Sequence, residues 1–247
     1  MLSIFRSLFA PPRDMILLVL TAWIGLTLSE KRVERHGISK DNLNNLIFYG
    51  LIAFVLGGRI AFIFENIPAF SKSYVSVFSI NPDLFDPFGA VVVALIAGLI
   101  YAQRRGLSLW PTLDAITLFL TTLAIGLGLS HLAAGTAFGK ETELPWGIEL
   151  WNAKRHPTQI YETIASLLTL GLLWFKKPDS RSGIFFLIFV SITAAWQLFI
   201  QAFRGDSRLV VGGFHQGQVI AWIVLATSFV ILEVRLTRIS SANNSKE

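Results

Sequence analysis

An all-α, polytopic membrane protein with about seven transmembrane helices is the fold class this sequence predicts, and three observations predict it. Of the 247 residues, 53% are hydrophobic and only 15% are charged. With a mean hydropathy of +0.59, the chain is far more apolar than a soluble domain. The apolar residues gather into seven runs, and every second connection between runs is basic.

Residues 1–14 mix Phe5, Leu8 and Phe9 with Arg6, Arg13 and the Pro11-Pro12 break, the composition of an interfacial N-terminal segment. No small-residue cleavage site follows the first run, so this segment reads as retained. The runs cover 15–28, 46–64, 88–102, 109–134, 158–175, 184–203 and 219–234. Several are shorter than the roughly 20 residues that cross a bilayer, so flanking residues must complete them. Lys31, Arg32, Arg35 and Lys40 follow the first run, Arg104 and Arg105 the third, and Lys176, Lys177 and Arg181 the fifth; Arg235, Arg238 and Lys246 end the chain. The positive-inside rule places these loops and the C-terminus in the cytoplasm and the N-terminus outside. The outer connections are then 65–86, 136–157 and 205–218, with turn glycines (Gly135, Gly139, Gly212, Gly213) and Trp146 and Trp151 at headgroup level. Residues 15–238 read as one integral domain and 239–247 as a polar tail.

Composition also excludes chemistry. The chain has no cysteine, which rules out a disulfide, a thiolate metal site and a cysteine nucleophile of its own. The net charge of +5 is spread over short loops rather than one stripe, so nucleic acid is not an expected partner. No phosphate-binding glycine loop, His-Glu-x-x-His or Gly-x-Ser-x-Gly turn occurs, and no cofactor or metal is expected.

The polar groups that remain are concentrated in Arg155-His156-Pro157-Thr158-Gln159-Ile160-Tyr161-Glu162, directly before the fifth run. Pro157 suits a helix start, and on that helix Gln159 and Thr158 share a face with Glu162. Such a cluster either anchors a span at the water boundary or builds a site there. Arg59, in Gly57-Gly58-Arg59-Ile60 of the second run, costs about 2.5 kcal/mol or more at mid-membrane, and less near the interface. It either snorkels to headgroup phosphate or binds an anion, and the two glycines favour close helix packing that turns it inward. His131, near the outer end of the fourth run, is either an interfacial hydrogen-bonding residue or a proton acceptor, and His156 has the same two readings. Arg204, Asp206 and Arg208 close the sixth run. With Arg59 and Arg155, Arg204 has the guanidinium chemistry of a phosphate pocket.

The octet resembles the Arg-His-Pro-Ser/Thr-Gln-Leu-Tyr-Glu block of the bacterial prolipoprotein diacylglyceryl transferase family. The segment running from Gly139 to Leu144-Pro145-Trp146-Gly147 is similar to that family's Gly-Arg-Pro-Thr-Asp-Leu-Pro-Trp-Gly. Gly57-Gly58-Arg59 resembles its Gly-Ala-Arg, Phe203-Arg204 with Asp206 its Phe-Arg-Glu-Pro-Asp, and Gly217-Gln218 its Met-Gly-Gln. The resemblance implies a multi-pass protein of the bacterial inner membrane. It implies transfer of diacylglyceryl from phosphatidylglycerol to the lipobox cysteine of an exported prolipoprotein, recognised through its signal peptide among the membrane lipids. On this reading the candidate catalytic residues are His131, His156, Tyr161 and Glu162, with His131 or His156 assisting proton removal, and Arg59, Arg155, Gln159, Arg204 and Gln218 are the candidates for substrate binding. The family fingerprint Gly-Arg-x-Gly-Asn-Phe-x-Asn-x-Glu-x-x-Gly is replaced: matched back from Gly139, its specified positions fall on Leu127, Gly128, Ser130, His131, Leu132, Ala134 and Thr136. The arginine, both asparagines and the acid are gone. In the sixth run, Arg-Phe-x-Ile-Glu becomes Gln197-Leu198-Phe199-Ile200-Gln201, losing a plus and a minus together. The alternative expectation is therefore a non-catalytic paralogue that binds phospholipid or lipidated peptides.

Overall fold

The computed structural model describes residues 13–71, 84–176 and 181–244. Most of the interfacial N-terminal segment, Lys177, most of the connection 65–86 and the last residues of the polar tail lie outside the described residues. The described part is helical over each of the seven runs: α1 (Arg13–Glu30), α2 (Lys40–Glu65), α3 (Pro87–Arg104), α4 (Leu109–Ala134), α5 (Thr158–Phe175), α6 (Ile184–Ile200) and α7 (Gln216–Asn244). Five of them, α2, α3, α4, α7 and α6 with the 3₁₀ turn that continues it to Phe203, are long and apolar enough to cross a membrane. The other two, α1 and α5, have 18 residues each. Charges stand at both ends of α1 (Arg13, Asp14, Glu30), and the first turns of α5 hold Thr158, Gln159, Tyr161 and Glu162. Large side chains such as Trp23, Phe64, Phe88, Phe175 and Trp222 stand exposed, as a lipid-facing surface requires.

One element departs from the all-α expectation. Ile148–Leu150 (β1) and Ala153–Arg155 (β2) pair antiparallel with Ile148 opposite Arg155. Trp151 (φ 54°) and Asn152 (φ 59°) both take the left-handed conformation that a two-residue hairpin turn demands. Strands of three residues carry too little alternation to register as a period in the sequence, so 136–157 reads there as a plain loop.

The chain forms two compact units, one of residues 33–112 and one of residues 1–32 with 113–247. Within the first, Gly57 and Gly58 of α2 face Val93 and Phe85, and Gly89 of α3 faces Ala61. Any side chain at these glycines would drive the two helices apart. Asp86 caps α3 by accepting from Gly89 N.

In the second unit, α1 lays Thr21, Gly25 and Ser29 inward, with Gly25 against Phe119 and Thr122 of α4, and Gly126 of α4 against Thr21. Thr117, Thr121 and Thr122 are buried, and each hydroxyl donates to the carbonyl four residues back, so none needs a partner on another helix. Two basic residues, Arg32 after α1 and Arg235 within α7, also bind backbone carbonyls. Arg32 donates to Trp174 O at 2.6 Å and lies 4.0 Å over the Trp174 ring, while Arg235 donates to Ser182 O at 2.6 Å.

Asp114 of α4, 3% exposed, accepts from Gly183 N at 2.5 Å and Phe186 N at 2.8 Å, capping α6 from a different helix. Asp114→Leu leaves those N–H groups at the α6 start without their acceptor. It is expected to cost about 2–3 kcal/mol, read as a lower unfolding temperature of the detergent-solubilised protein. An unchanged midpoint would remove Asp114 from this role.

Candidate functional site

The segment that links the C-terminal end of α4 to the start of α5 and the segment after α6 are joined by backbone hydrogen bonding. The central strip 138–142 pairs on both sides. Toward the octet, Gly139 N donates to His156 O (3.2 Å), His156 N to Lys140 O (2.9 Å) and Thr142 N to Lys154 O (2.9 Å). Toward the end of α6, Lys140 N donates to Phe203 O (2.8 Å) and Gly205 N to Phe138 O (2.9 Å). Gly139 and Gly205 are needed where backbones touch: a Cβ on Gly139 would strike His156, and one on Gly205 would lie 2.6 Å from Gly139 O. Residues far apart in the chain thereby share one small layer.

The octet's first helical turn holds this layer down. Thr158 and Gln159 are fully buried; Thr158 Oγ1 donates to Ala137 O at 2.6 Å and Gln159 Nε2 to Thr136 O at 2.8 Å. Ala137, a non-glycine residue at φ 57°, is kept in that uncommon conformation by the Thr158 bond. Arg155 is also engaged. Its Nε donates to Leu150 O at 3.1 Å, its Nη2 meets Glu141 Oε1 at 3.3 Å, and its guanidinium lies 5.1 Å over the Phe138 ring.

The charged centre is formed by Glu162, Arg204, Asp206 and His131. Glu162, its side chain 9% exposed, uses both oxygens: Oε1 accepts from Arg204 Nη1 at 3.1 Å, and Oε2 faces His131 Nδ1 at 3.5 Å. Arg204 turns its other edge to Asp206, with Nε to Oδ1 at 2.8 Å and Nη2 to Oδ2 at 3.3 Å, the two-pronged geometry that suits a planar guanidinium. Two carboxylates thus share one guanidinium. A carboxylate only accepts, so a hydrogen bond across this gap needs the proton on His131 Nδ1. At 36% side-chain exposure, His131 is the accessible member of the cluster.

A second group lies beside it. His156 Nδ1 is 3.4 Å from Tyr161 Oη, which accepts from Trp146 Nε1 at 2.9 Å. Phe203 packs on the His156 ring at 5.0 Å. Among the described residues, no group of three or more His, Asp or Glu side chains could hold a metal ion.

The family of prolipoprotein diacylglyceryl transferases matches residues 15–234. The chain belongs to this family. Among curated relatives, the phosphatidylglycerol–prolipoprotein diacylglyceryl transferase of Clostridium tetani is 27% identical over 84% of this chain and 86% of its own length. That of Clostridioides difficile is 26% identical over 91% and 90%. The enzyme of Thermotoga maritima is 28% identical over 85% of this chain and 76% of its own.

Family membership gives the lost fingerprint a physical context. Gly128, at the fingerprint's arginine position, is where α4 packs against α5: a Cβ there would strike Thr163 Oγ1 and lie 3.1 Å from Gln159 O. No arginine fits without parting the two helices. One turn on, His131 stands at an asparagine position and reaches Glu162.

Of the nine residues singled out from sequence, the structure gathers His131, Arg155, His156, Gln159, Tyr161, Glu162 and Arg204 around the layer. Gln218 lies at the start of α7, where its Oε1 accepts from His215 N at 3.0 Å and its Nε2 reaches Leu198 O at 3.4 Å, so its amide holds the helix entry. Arg59 belongs to the other unit, where Nη1 donates to Leu84 O at 2.9 Å. Asp206 and Trp146 were not on that list. Asp206 has a sequence signal in its spacing, two residues from Arg204, which allows one carboxylate to grip one guanidinium. Trp146 has only its place in the Leu-Pro-Trp-Gly segment.

Proposed function

We propose that this chain transfers the diacylglyceryl group of phosphatidylglycerol to the lipobox cysteine of exported prolipoproteins. It does so as a seven-span protein of the bacterial inner membrane, with residues 15–238 as the integral part, the N-terminus outside and the C-terminus in the cytoplasm. The observation that carries this is the Glu162–His131 pair, held by Arg204 where the end of α4 meets the start of α5.

The reaction needs a thiolate, since the thiol is a poor nucleophile. His131 Nε2 takes the cysteine proton while Glu162 fixes the ring through Nδ1 and faces the charge that develops on it. The sulfur then attacks the glyceryl carbon that bears the phosphate ester. The carbon–sulfur bond forms as the carbon–oxygen bond breaks, and glycerol phosphate leaves with the electron pair. Its negative charge calls for cations. Arg204 is committed to two carboxylates and orders the site from within. Arg155 is better placed to give way, because its partner Glu141 is 72% exposed, so a phosphate displacing it strands no buried acid.

The test is to express the chain in cells depleted of their own transferase and to assay diacylglyceryl modification of a lipobox reporter. Modification is expected; a properly inserted protein that leaves the reporter untouched would sink the reading. The close packing at Gly128, which shuts out the fingerprint arginine, favours one competing reading: a non-catalytic relative that retains phospholipid or lipidated peptides. Lipid binding without reporter modification would select it.

For the lipid itself, Arg155→Gln is expected to weaken phosphatidylglycerol binding in nanodiscs about tenfold, as loss of one charge-assisted contact does. Unchanged binding would take Arg155 out of that role.

A further inference from the structure

His131 and His156 stand in one site, but the Nδ1 of His131 faces a carboxylate, whereas that of His156 faces a phenol that is itself bound to Trp146. An indole N–H can only donate, so at 2.9 Å Tyr161 Oη must accept from Trp146. A phenol oxygen that has accepted still carries one proton. Among the described residues, the other polar atom facing this oxygen is His156 Nδ1, at 3.4 Å. Donation from Tyr161 makes Nδ1 the acceptor and leaves the ring proton on Nε2. Phe203 packs 5.0 Å from the His156 ring and 6.3 Å from the Tyr161 ring. At His131 the order is reversed: the Glu162 carboxylate can only accept, so Nδ1 holds the proton and Nε2 is bare.

We infer that Trp146, through Tyr161, is a positioning residue that fixes His156 as a hydrogen-bond donor for an anionic phosphate oxygen of the lipid, leaving His131 as the proton acceptor. This rests on the transferase reading for the identity of the lipid, but the proton order at His156 does not. The division of labour also has a chemical reason. Two bare imidazole nitrogens would compete for the thiol proton and leave the departing phosphate without a neutral donor, whereas one acceptor and one donor serve both ends of the bond exchange.

The test uses the full chain in phosphatidylglycerol nanodiscs, with nitrogen-15 shifts of its four histidines and the His156 signal identified by its loss in His156→Gln. The parent protein is expected to show His156 protonated on Nε2. Trp146→Phe, which keeps a ring and removes the N–H, is expected to move His156 toward the other tautomer and to weaken lipid binding several-fold without changing the rate per bound lipid. His156→Gln, whose amide nitrogen replaces Nε2–H, is expected to bind phosphatidylglycerol nearly as the parent does. His156→Asn, which mimics only Nδ1, is expected to bind about tenfold more weakly. A parent His156 protonated on Nδ1, a Trp146→Phe spectrum like the parent's, or equal binding by the Gln and Asn variants would overturn the inference. Correct tautomers and the Gln-over-Asn order with an unmodified lipobox reporter would uphold the inference and sink the transferase reading alone.

Discussion

His131→Gln is expected to lower the rate of lipobox cysteine modification by about 10²–10⁴-fold, the range that a positioned general base contributes, while phosphatidylglycerol binding changes little. Glutamine is close in size, but its amide nitrogen takes the place of Nε2 rather than of the Nδ1 that faces Glu162, and it cannot accept a proton there. The loss should therefore fall on turnover rather than on lipid affinity. It should also depend on how acidic the acceptor thiol is, because a thiol already ionised in solution no longer needs the base. Raising the assay pH should narrow the gap between parent and variant for that reason. The comparison is a single-turnover rate on a lipobox peptide in nanodiscs, parent against variant at two pH values. A variant as fast as the parent would remove His131 from the chemistry and leave the His131–Glu162 contact a structural one.

What could be read from the residues follows from the distance over which each signal acts. The fourth run ends where α4 ends, at Ala134, and the fifth begins where α5 begins, at Thr158, because Gly135 (φ 68°) and Pro157 punctuate the chain locally. The octet's position at a helix mouth was legible for the same reason. The hairpin was not, since its strands are too short to show a period and its turn depends on two non-glycine residues at positive φ. The pairing of His131 with Glu162 was beyond sequence because it depends on how closely α4 approaches α5 at Gly128. The cationic pocket expected from Arg59, Arg155 and Arg204 counted guanidinium groups without their partners. Glu141 meets Arg155, and Glu162 and Asp206 meet Arg204, and only the folded backbone brings Glu162 to Arg204.

Those partners make the largest stability effects unequal. The cluster holds two carboxylates, Glu162 and Asp206, and one guanidinium, Arg204. Removing Glu162 leaves Arg204 paired with Asp206, a one-to-one balance. Removing Arg204 leaves two acids facing the same space, with Glu162 9% exposed and Asp206 27% exposed. Arg204→Met is accordingly expected to destabilise the protein by about 3–5 kcal/mol, the usual result of breaking a buried pair from one side. Glu162→Gln should cost clearly less, since the amide oxygen still accepts from Arg204 Nη1. Arg204→Lys should resemble the Met variant more than the parent, because one ammonium cannot meet Asp206 through two parallel bonds and reach Glu162 as well. The decisive comparison is the double variant Arg204→Met with Glu162→Gln, whose two changes remove one charge of each sign. It should unfold at a higher temperature than Arg204→Met alone, although it carries one more substitution. If the double variant is instead the less stable of the two, repulsion between the acids is not what Arg204 relieves, and its contribution lies in the packing of its side chain against the 138–142 strip.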